Sequence, residues 1–371
     1  MMKKILSASI CLACSCFFLP FIVSAQVVVD SPAVVKKMPD QLDLFTTDEV
    51  MELTLSGNIK EVLNDRSVTS KLHPLQLSYQ KTGGEKITVP VEVKTRGHFR
   101  KMKTNCVYPP LQVNFLKTEV LNTSVFEGQD KLKLVMPCAG DEYVIREWLV
   151  YKLYNLITPN SFRARLVKVK LDDSLSKKMI PPFYGLLLES EKQMAKRNGL
   201  FSVEKKLLRP EETYEETFLN MAVFEYMIGN TDWSVQYMQN IKLIAEDTNG
   251  LIPVTVPYDF DHSGLVNAPY ARPTEELELN TVRDRRYRGY CIKDMKTFDA
   301  TIALFNKLKD KFYSTYSNCT LLDEKYIKST LKYLDEFYGT INNKAAFKKD
   351  FSYPCDNTGT GNVIIKGLKN D

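Results

Sequence analysis

The sequence predicts an α+β protein, rich in antiparallel strands in its first half and in helices in its second. Three observations carry this. Between Thr46 and Val135 apolar and polar residues alternate in short runs, the period of half-buried strands. Between Phe298 and Ile341 apolar residues recur at three- and four-residue intervals, the helical period. The chain has 371 residues, is 44% hydrophobic and shows no internal repeat, so it can bury a sizeable core without a solenoid architecture.

Residues 1–25 have Lys3 and Lys4, an apolar run from Ile5 through Val23, and a small-residue cleavage site at Val23-Ser24-Ala25. That pattern predicts a secretory signal peptide and an exported protein, periplasmic or extracellular. Pro20 interrupts the run and no later stretch approaches eighteen continuous apolar residues, so no transmembrane anchor is expected after cleavage. Cys14 and Cys16 sit where a lipid anchor would be attached, but Cys11 rather than Leu stands three residues before Cys14, so lipidation is the lesser reading. Removal of the signal leaves five cysteines: Cys106, Cys138, Cys291, Cys319 and Cys355. An exported chain can oxidise them, and an odd number leaves one thiol free or paired between chains. None has CxxC spacing, which argues against zinc. Cys106 with Cys138 is the first pairing to expect, because both flank short strand candidates. With Lys3 and Lys4 gone, 48 Lys plus Arg face 45 Asp plus Glu, a balance that gives no case for nucleic acid.

Residues 26–45 read as an extended lead-in. From residue 46 to 190 strands dominate: Leu53 and Leu55; Leu75, Leu77 and Tyr79; Ile87 to Val93 after a Gly83-Gly84 hairpin turn; then Leu111–Phe115 and Lys131–Val135. A basic cluster from Arg96 through Arg100, Lys101 and Lys103 follows the third of these. Asp141 is placed to cap a helix from Glu142 to Ile157, and two further strands cover Leu166–Leu171 and Phe183–Glu189. Residues 191–353 read as helical: Glu211 to Ile228 stopped by Gly229, then amphipathic helices through Phe298–Phe312 and Ile327–Ile341. Arg283-Asp284-Arg285-Arg286-Tyr287-Arg288 is the densest positive run, suited to an acidic or phosphorylated substrate or to nearby acids. Residues 354–371 form a Gly- and Asn-rich tail.

The stretch that carries chemistry is Gly229 to Gly264. Asp232 follows a helix end, Asn240 opens a strand, and Asp259-Phe260-Asp261 ends an apolar strand that alternates through Ile252, Val254, Val256 and Tyr258. Oxygen ligands on separate elements suit a magnesium ion and a phosphoryl group. Asp259 and Asp261 flank an aromatic in an apolar strand, where an unpaired carboxylate is costly, so each calls for a metal or a cation. Other chemistries lack their motifs: there is no GxxxxGK[ST], no HExxH and no GxSxG, and His73, His98 and His262 are scattered.

Helix, Gly-Asn-x-Asp, a strand bearing Asn and an apolar strand ending Asp-x-Asp together resemble the spore-coat protein H (CotH) family of secreted atypical protein kinases. The resemblance covers roughly Val89 to Gly264. It implies a two-lobed, atypical protein-kinase-like fold with a sheet-rich N-terminal lobe and a helix-rich C-terminal lobe, linked by the strand pair Leu166–Leu171 and Phe183–Glu189. It implies Asp232 as the catalytic acid, and Asn240, Asp259 and Asp261 as ligands of Mg2+ or Mn2+ carrying ATP. Arg96, Arg100 and Lys131 or Lys133 would face the phosphates, with Glu147 holding the lysine. The partners implied are a nucleotide and a hydroxyl-bearing acceptor, protein or small molecule. Here the triplet lacks the glycine of the kinase DFG element, and Asp232 to Asn240 is longer than in ordinary kinases. The alternatives are a catalytically inactive binding or envelope protein and a metal-dependent phosphoester hydrolase.

Overall fold

The alternating first half folds into strands, but these strands close on themselves. The computed structural model describes residues 43–176, 180–273, 275–353 and 355, all within one compact unit. The expected signal peptide at residues 1–25, most of the expected lead-in and nearly all of the expected tail lie outside the described residues. After a 3-10 turn at Asp43–Phe45 come β1 (Met51–Gly57), α1 (Ile59–Asn64), β2 (His73–Gln80), β3 (Lys86–Thr95), β4 (Leu111–Phe115), α2 (Glu119–Asn122), β5 (Lys131–Val135), α3 (Asp141–Ile157), β6 (Ala164–Asp173) and β7 (Phe183–Leu188). The seven strands form a closed barrel in the order β1-β2-β3-β4-β5-β7-β6. All neighbours are antiparallel except the closing pair, where β1 lies parallel to β6 from Met51↔Val167 to Gly57↔Asp173.

This overturns the expected two-lobed kinase-like architecture with an open sheet as its first lobe. The physical reason is the closing pair. Leu53 and Leu55 show the same alternation whether β1 is an edge or a seam, and local periodicity holds no record of a partner more than a hundred residues away. The strands Leu166–Leu171 and Phe183–Glu189, expected as a link between lobes, are staves of the barrel.

Inward residues of the barrel, among them Leu55, Leu77, Val89, Val91, Val113 and Leu132, are 1% exposed or less. Leu186-Leu187-Leu188 is apolar throughout because β7 is covered on both faces. Leu187 points into the barrel core, while Leu186 and Leu188 join the second core. That second core gathers α3, which packs on β7, and the elements that follow. These are α4 (Glu191–Arg197), β8 (Phe201–Val203), α5 (Glu215–Ile228), β9 (Ile241–Ala245), β10 (Val254–Pro257), α6 (Asp299–Ser317), α7 (Glu324–Ile341) and α8 (Lys344–Phe351). Strands β10, β9 and β8 make a separate three-stranded antiparallel sheet.

Local expectations are refined in three places. Asp141 is the first residue of α3 rather than its cap, and its carboxylate accepts the Tyr184 N–H at 3.0 Å. A 3-10 turn at Pro210–Glu212 delays α5 to Glu215. Strand β10 is shorter than its apolar run: Ile252 is 64% exposed, while Thr255 is as buried as Val256, so no alternation survives. Cys106 pairs with Cys138 and Cys291 with Cys355, leaving Cys319 as the free thiol among the described residues. No helix among the described residues is long and apolar enough to cross a membrane.

Candidate functional site

Helix α5 ends at Gly229, which is left-handed at φ 69°. A side chain there would collide with the Tyr333 hydroxyl, so glycine is required sterically as well as conformationally. The chain then folds an Asx turn in which the Asp232 N–H donates to Asn230 Oδ1 at 3.1 Å. The Asp232 carboxylate accepts from Gln239 Nε2 and, at 3.0 Å, from Asn240 Nδ2, which also donates to the Asp232 carbonyl at 2.7 Å. This small closed loop holds Met238 and Asn240 at φ 52° and 51°. Such backbone is unfavourable for side-chain-bearing residues and is concentrated at functional sites.

The β9/β10 register carries the loop to the second acid. Pro257 faces Ile241, so the next N–H, from Tyr258, donates to the Asn240 carbonyl at 3.0 Å. Asp259 follows at φ 64°, with its N–H donating to the Tyr151 hydroxyl at 2.9 Å. Its Oδ1 lies 2.7 Å from Lys133 Nζ on β5. Phe260 is fully buried, its ring 4.8 Å from that of Tyr151 and 5.7 Å from that of Phe224. Asp261 accepts from the Tyr270 hydroxyl at 3.0 Å, with Arg100 Nη1 3.7 Å away. Buried Phe260 is thus a pivot between two carboxylates that meet different cations.

The electrostatics follow from burial and these pairings. At Asp259, burial works upward, but the Lys133 charge and hydrogen bond, with Arg100 and Arg96 behind them, hold the carboxyl below its ordinary value. Burial raises Asp232, aided by Asp261 and Asp259 and opposed by His262 and Arg288. Glu147 on α3 is 1% exposed, and burial first, then the charges of Asp261 and Asp259, push it up to about 8 against the pull of Lys133 and Arg100. The sign is therefore that of a raised carboxyl. Between about pH 4.5 and 8 the folded protein keeps a proton the unfolded chain has lost, so stability is greatest below that window and falls as pH rises through it. Glu147→Gln is expected to flatten this fall by an amount of order a few kcal/mol. Urea midpoints of both proteins at pH 5 and pH 8 check it, and equal slopes for the two would refute it.

The structure brings Lys133, Asp259, Arg100, Asp261 and Glu147 into one charged cluster, with Arg96 half-buried beside it and the Asp232–Asn240 pair adjoining. It does not bring in Lys131, which is exposed at the start of β5. Lys133 bonds Asp259, and no ion pair within 4.0 Å joins it to Glu147. Lys101 turns away to the Ser67 carbonyl and, at 3.1 Å, to Ser70 Oγ. No protein-family model matches the chain, and no curated protein matches it.

Sequence reasoning missed Tyr151, Gln239 and Tyr270. A buried tyrosine on a helix reads as core, and only the fold shows its hydroxyl accepting from Asp259. The expected pairing of the basic run with nearby acids holds for Arg285, which lies 3.8 Å from Glu336, but sequence reasoning missed that the guanidinium groups of Arg283, Arg285 and Arg288 also bond backbone carbonyls. A cavity of about 940 Å³ lies against β1 and β2, where Ser78, Tyr79 and Arg165 line it, and includes none of the candidate residues.

Whether a hard cation fits can be judged from the donors. Asp259 and Asn240 supply oxygen, and Asp259 Oδ2 has no protein partner among the described residues. Gln239 Oε1 is buried without a hydrogen bond. Among the described residues no three His, Cys, Asp or Glu side chains gather to hold a metal unaided. The set therefore suits a cation that keeps most of its ligands on water and phosphate, as magnesium does.

Proposed function

We propose that this protein is a metal-dependent phosphotransferase that moves a phosphoryl group from a nucleotide to a hydroxyl-bearing acceptor. The observation that carries this is the Lys133–Asp259 ion pair beside the hydrogen-bonded Asp232–Asn240 pair, joined through one β9/β10 register. Asp232 orients the acceptor hydroxyl and takes up its proton; burial raises its carboxyl toward the working range of a general base. Gln239 and Asn240 fix the rotamer of that carboxylate. Lys133, with Arg96 and Arg100 near it, supplies positive charge for phosphate oxygens. Mg2+ or Mn2+ would be held by Asp259 and Asn240, with Asp261 behind, and would neutralise phosphate charge. By the same proposal the protein is exported, its acceptor lies outside the cytoplasm, and nucleic acid is not a partner.

A second reading has its own support. Asp259 is paired with Lys133, and Asp261 with Tyr270 and Arg100, so both acids are compensated by the protein itself. That arrangement also suits a binding protein without catalysis.

A thermal-shift experiment separates the two. ATP with Mn2+ or Mg2+ at a hundredfold above Kd is expected to stabilise the protein by about 2.7 kcal/mol, which is several degrees in Tm. The shift should require both metal and nucleotide and vanish in Asp259→Ala. No shift at millimolar Mn2+–ATP would exclude phosphotransfer from this nucleotide.

A further inference from the structure

In the basic run at residues 283–288, suited by sequence to an acidic substrate or to nearby acids, Arg283, Arg285 and Arg288 reach backbone carbonyls of the fold, while Arg286 is exposed. Arg285 donates to the Met227 carbonyl at the end of α5 and to the Tyr333 carbonyl on α7, and lies 3.5 Å over the Tyr333 ring. Arg283 reaches the Gly264 carbonyl, three residues after Asp261. Arg288 reaches the first acid. Its Nη1 bonds the carbonyl of Thr231 at 2.6 Å and also that of Trp233, and its guanidinium sits 5.3 Å from the Trp233 ring centroid.

We infer that Arg288 is a positioning residue for Asp232, setting the backbone of the candidate catalytic acid by clasping the carbonyls on either side of it. The Thr231 carbonyl belongs to the peptide plane before Asp232, the plane after it is held by the Asn240 Nδ2 bond to the Asp232 carbonyl, and the Trp233 carbonyl fixes the next plane along, so the direction of the Asp232 side chain is set by Arg288 and Asn240 together. A planar guanidinium can hold two acceptors at once, which an ammonium on a flexible stem does far less rigidly. No carboxylate among the described residues lies within ion-pair distance of Arg288, so backbone carbonyls are its acceptors. Burial lowers its pKa only to about 10, so the group remains charged at neutral pH.

The surroundings favour a brace over a surface contact. Behind the loop, Glu225 is 1% exposed, and burial raises its carboxyl against the pull of the Asn230 side-chain amide and the Arg288 charge. Without Arg288 the turn would keep its Asx bond and the Gln239 and Asn240 bonds to Asp232, but the Thr231 and Trp233 carbonyls would lose their shared cation. Three residues beyond Arg288, Cys291 is tied to Cys355, which follows α8, so the segment carrying Arg288 is anchored covalently.

The catalytic part of this inference rests on the proposed phosphotransfer; the structural part does not, and the experiment separates them. Amide hydrogen exchange is followed across the whole protein in wild type, Arg288→Ala and Arg288→Lys, alongside Mn2+–ATP turnover. In Arg288→Ala, exchange over residues 230–240 should quicken by about tenfold or more while the barrel strands are unchanged, with Arg288→Lys intermediate. Turnover of Arg288→Ala should drop about a hundredfold in kcat with nucleotide KM changed less than about threefold, and added guanidinium should restore part of it. Unchanged exchange at 230–240, or exchange that quickens equally everywhere in both variants, overturns the inference. A wild-type protein that neither binds nor turns over nucleotide overturns the phosphotransfer proposal, and the exchange comparison still decides the role of Arg288.

Discussion

Phe260→Ala is expected to destabilise the protein by about 3–5 kcal/mol, as a fully buried phenylalanine truncated in a packed core does. The ring is 0% exposed and meets Tyr151 and Phe224, so its loss leaves a cavity with aromatic walls that cannot collapse without moving α3 or α5. Equilibrium urea denaturation should show the midpoint falling with the slope preserved. Phe260→Leu should cost less, about 1.5 kcal/mol, since most of the volume stays. A drop below about 1 kcal/mol for the alanine variant would mean that Phe260 is not the pivot that separates Asp259 from Asp261.

Asp232→Asn should reduce phosphoryl transfer by about 10²–10⁴-fold, the range for loss of a positioned general base. Nucleotide binding, read by the metal-dependent thermal shift, should be retained, because the phosphate-facing cations and Asp259 are untouched. Stability should change little. Burial disfavours the ionised carboxyl of Asp232 and a neutral amide avoids that penalty, but its NH2 replaces one of the two oxygens that accept from Gln239 and Asn240. Activity combined with a locally unfavourable group is the trade expected of a working site. If steady-state turnover of Asp232→Asn stays within about threefold of wild type, the base lies elsewhere.

The elements were largely legible in the sequence, and the closure was not. Alternation gave Leu111–Phe115 and Lys131–Val135 to the residue, and Gly83-Gly84 sits at positive φ between β2 and β3 as a hairpin turn requires. Gly229 ends α5 in the left-handed conformation, as its place after an apolar helical run implies. What local periodicity cannot hold is the identity of distant partners: β1 with β6, Lys133 with Asp259, Arg288 with the loop around Asp232. Lys131 and Lys133 show the same limit, because they share a strand face and only packing leaves one exposed and buries the other. The arginine run misled for a related reason. Charge density in sequence predicts a solvated or ligand-facing surface, yet guanidinium groups also serve wherever backbone carbonyls end inside a fold without partners.

The parallel seam between β1 and β6 also governs when the barrel can exist. Met51 and Val167 are 116 positions apart, so the first barrel strand must wait for nearly a third of the chain before its second neighbour arrives. Until then the early hairpins stand as a ribbon with two bare edges, a form open to pairing with other chains. Contacts that close late over long sequence distances slow folding. A polypeptide emerging N-terminus first therefore passes through a stage in which a holding chaperone, rather than its own structure, would guard those edges.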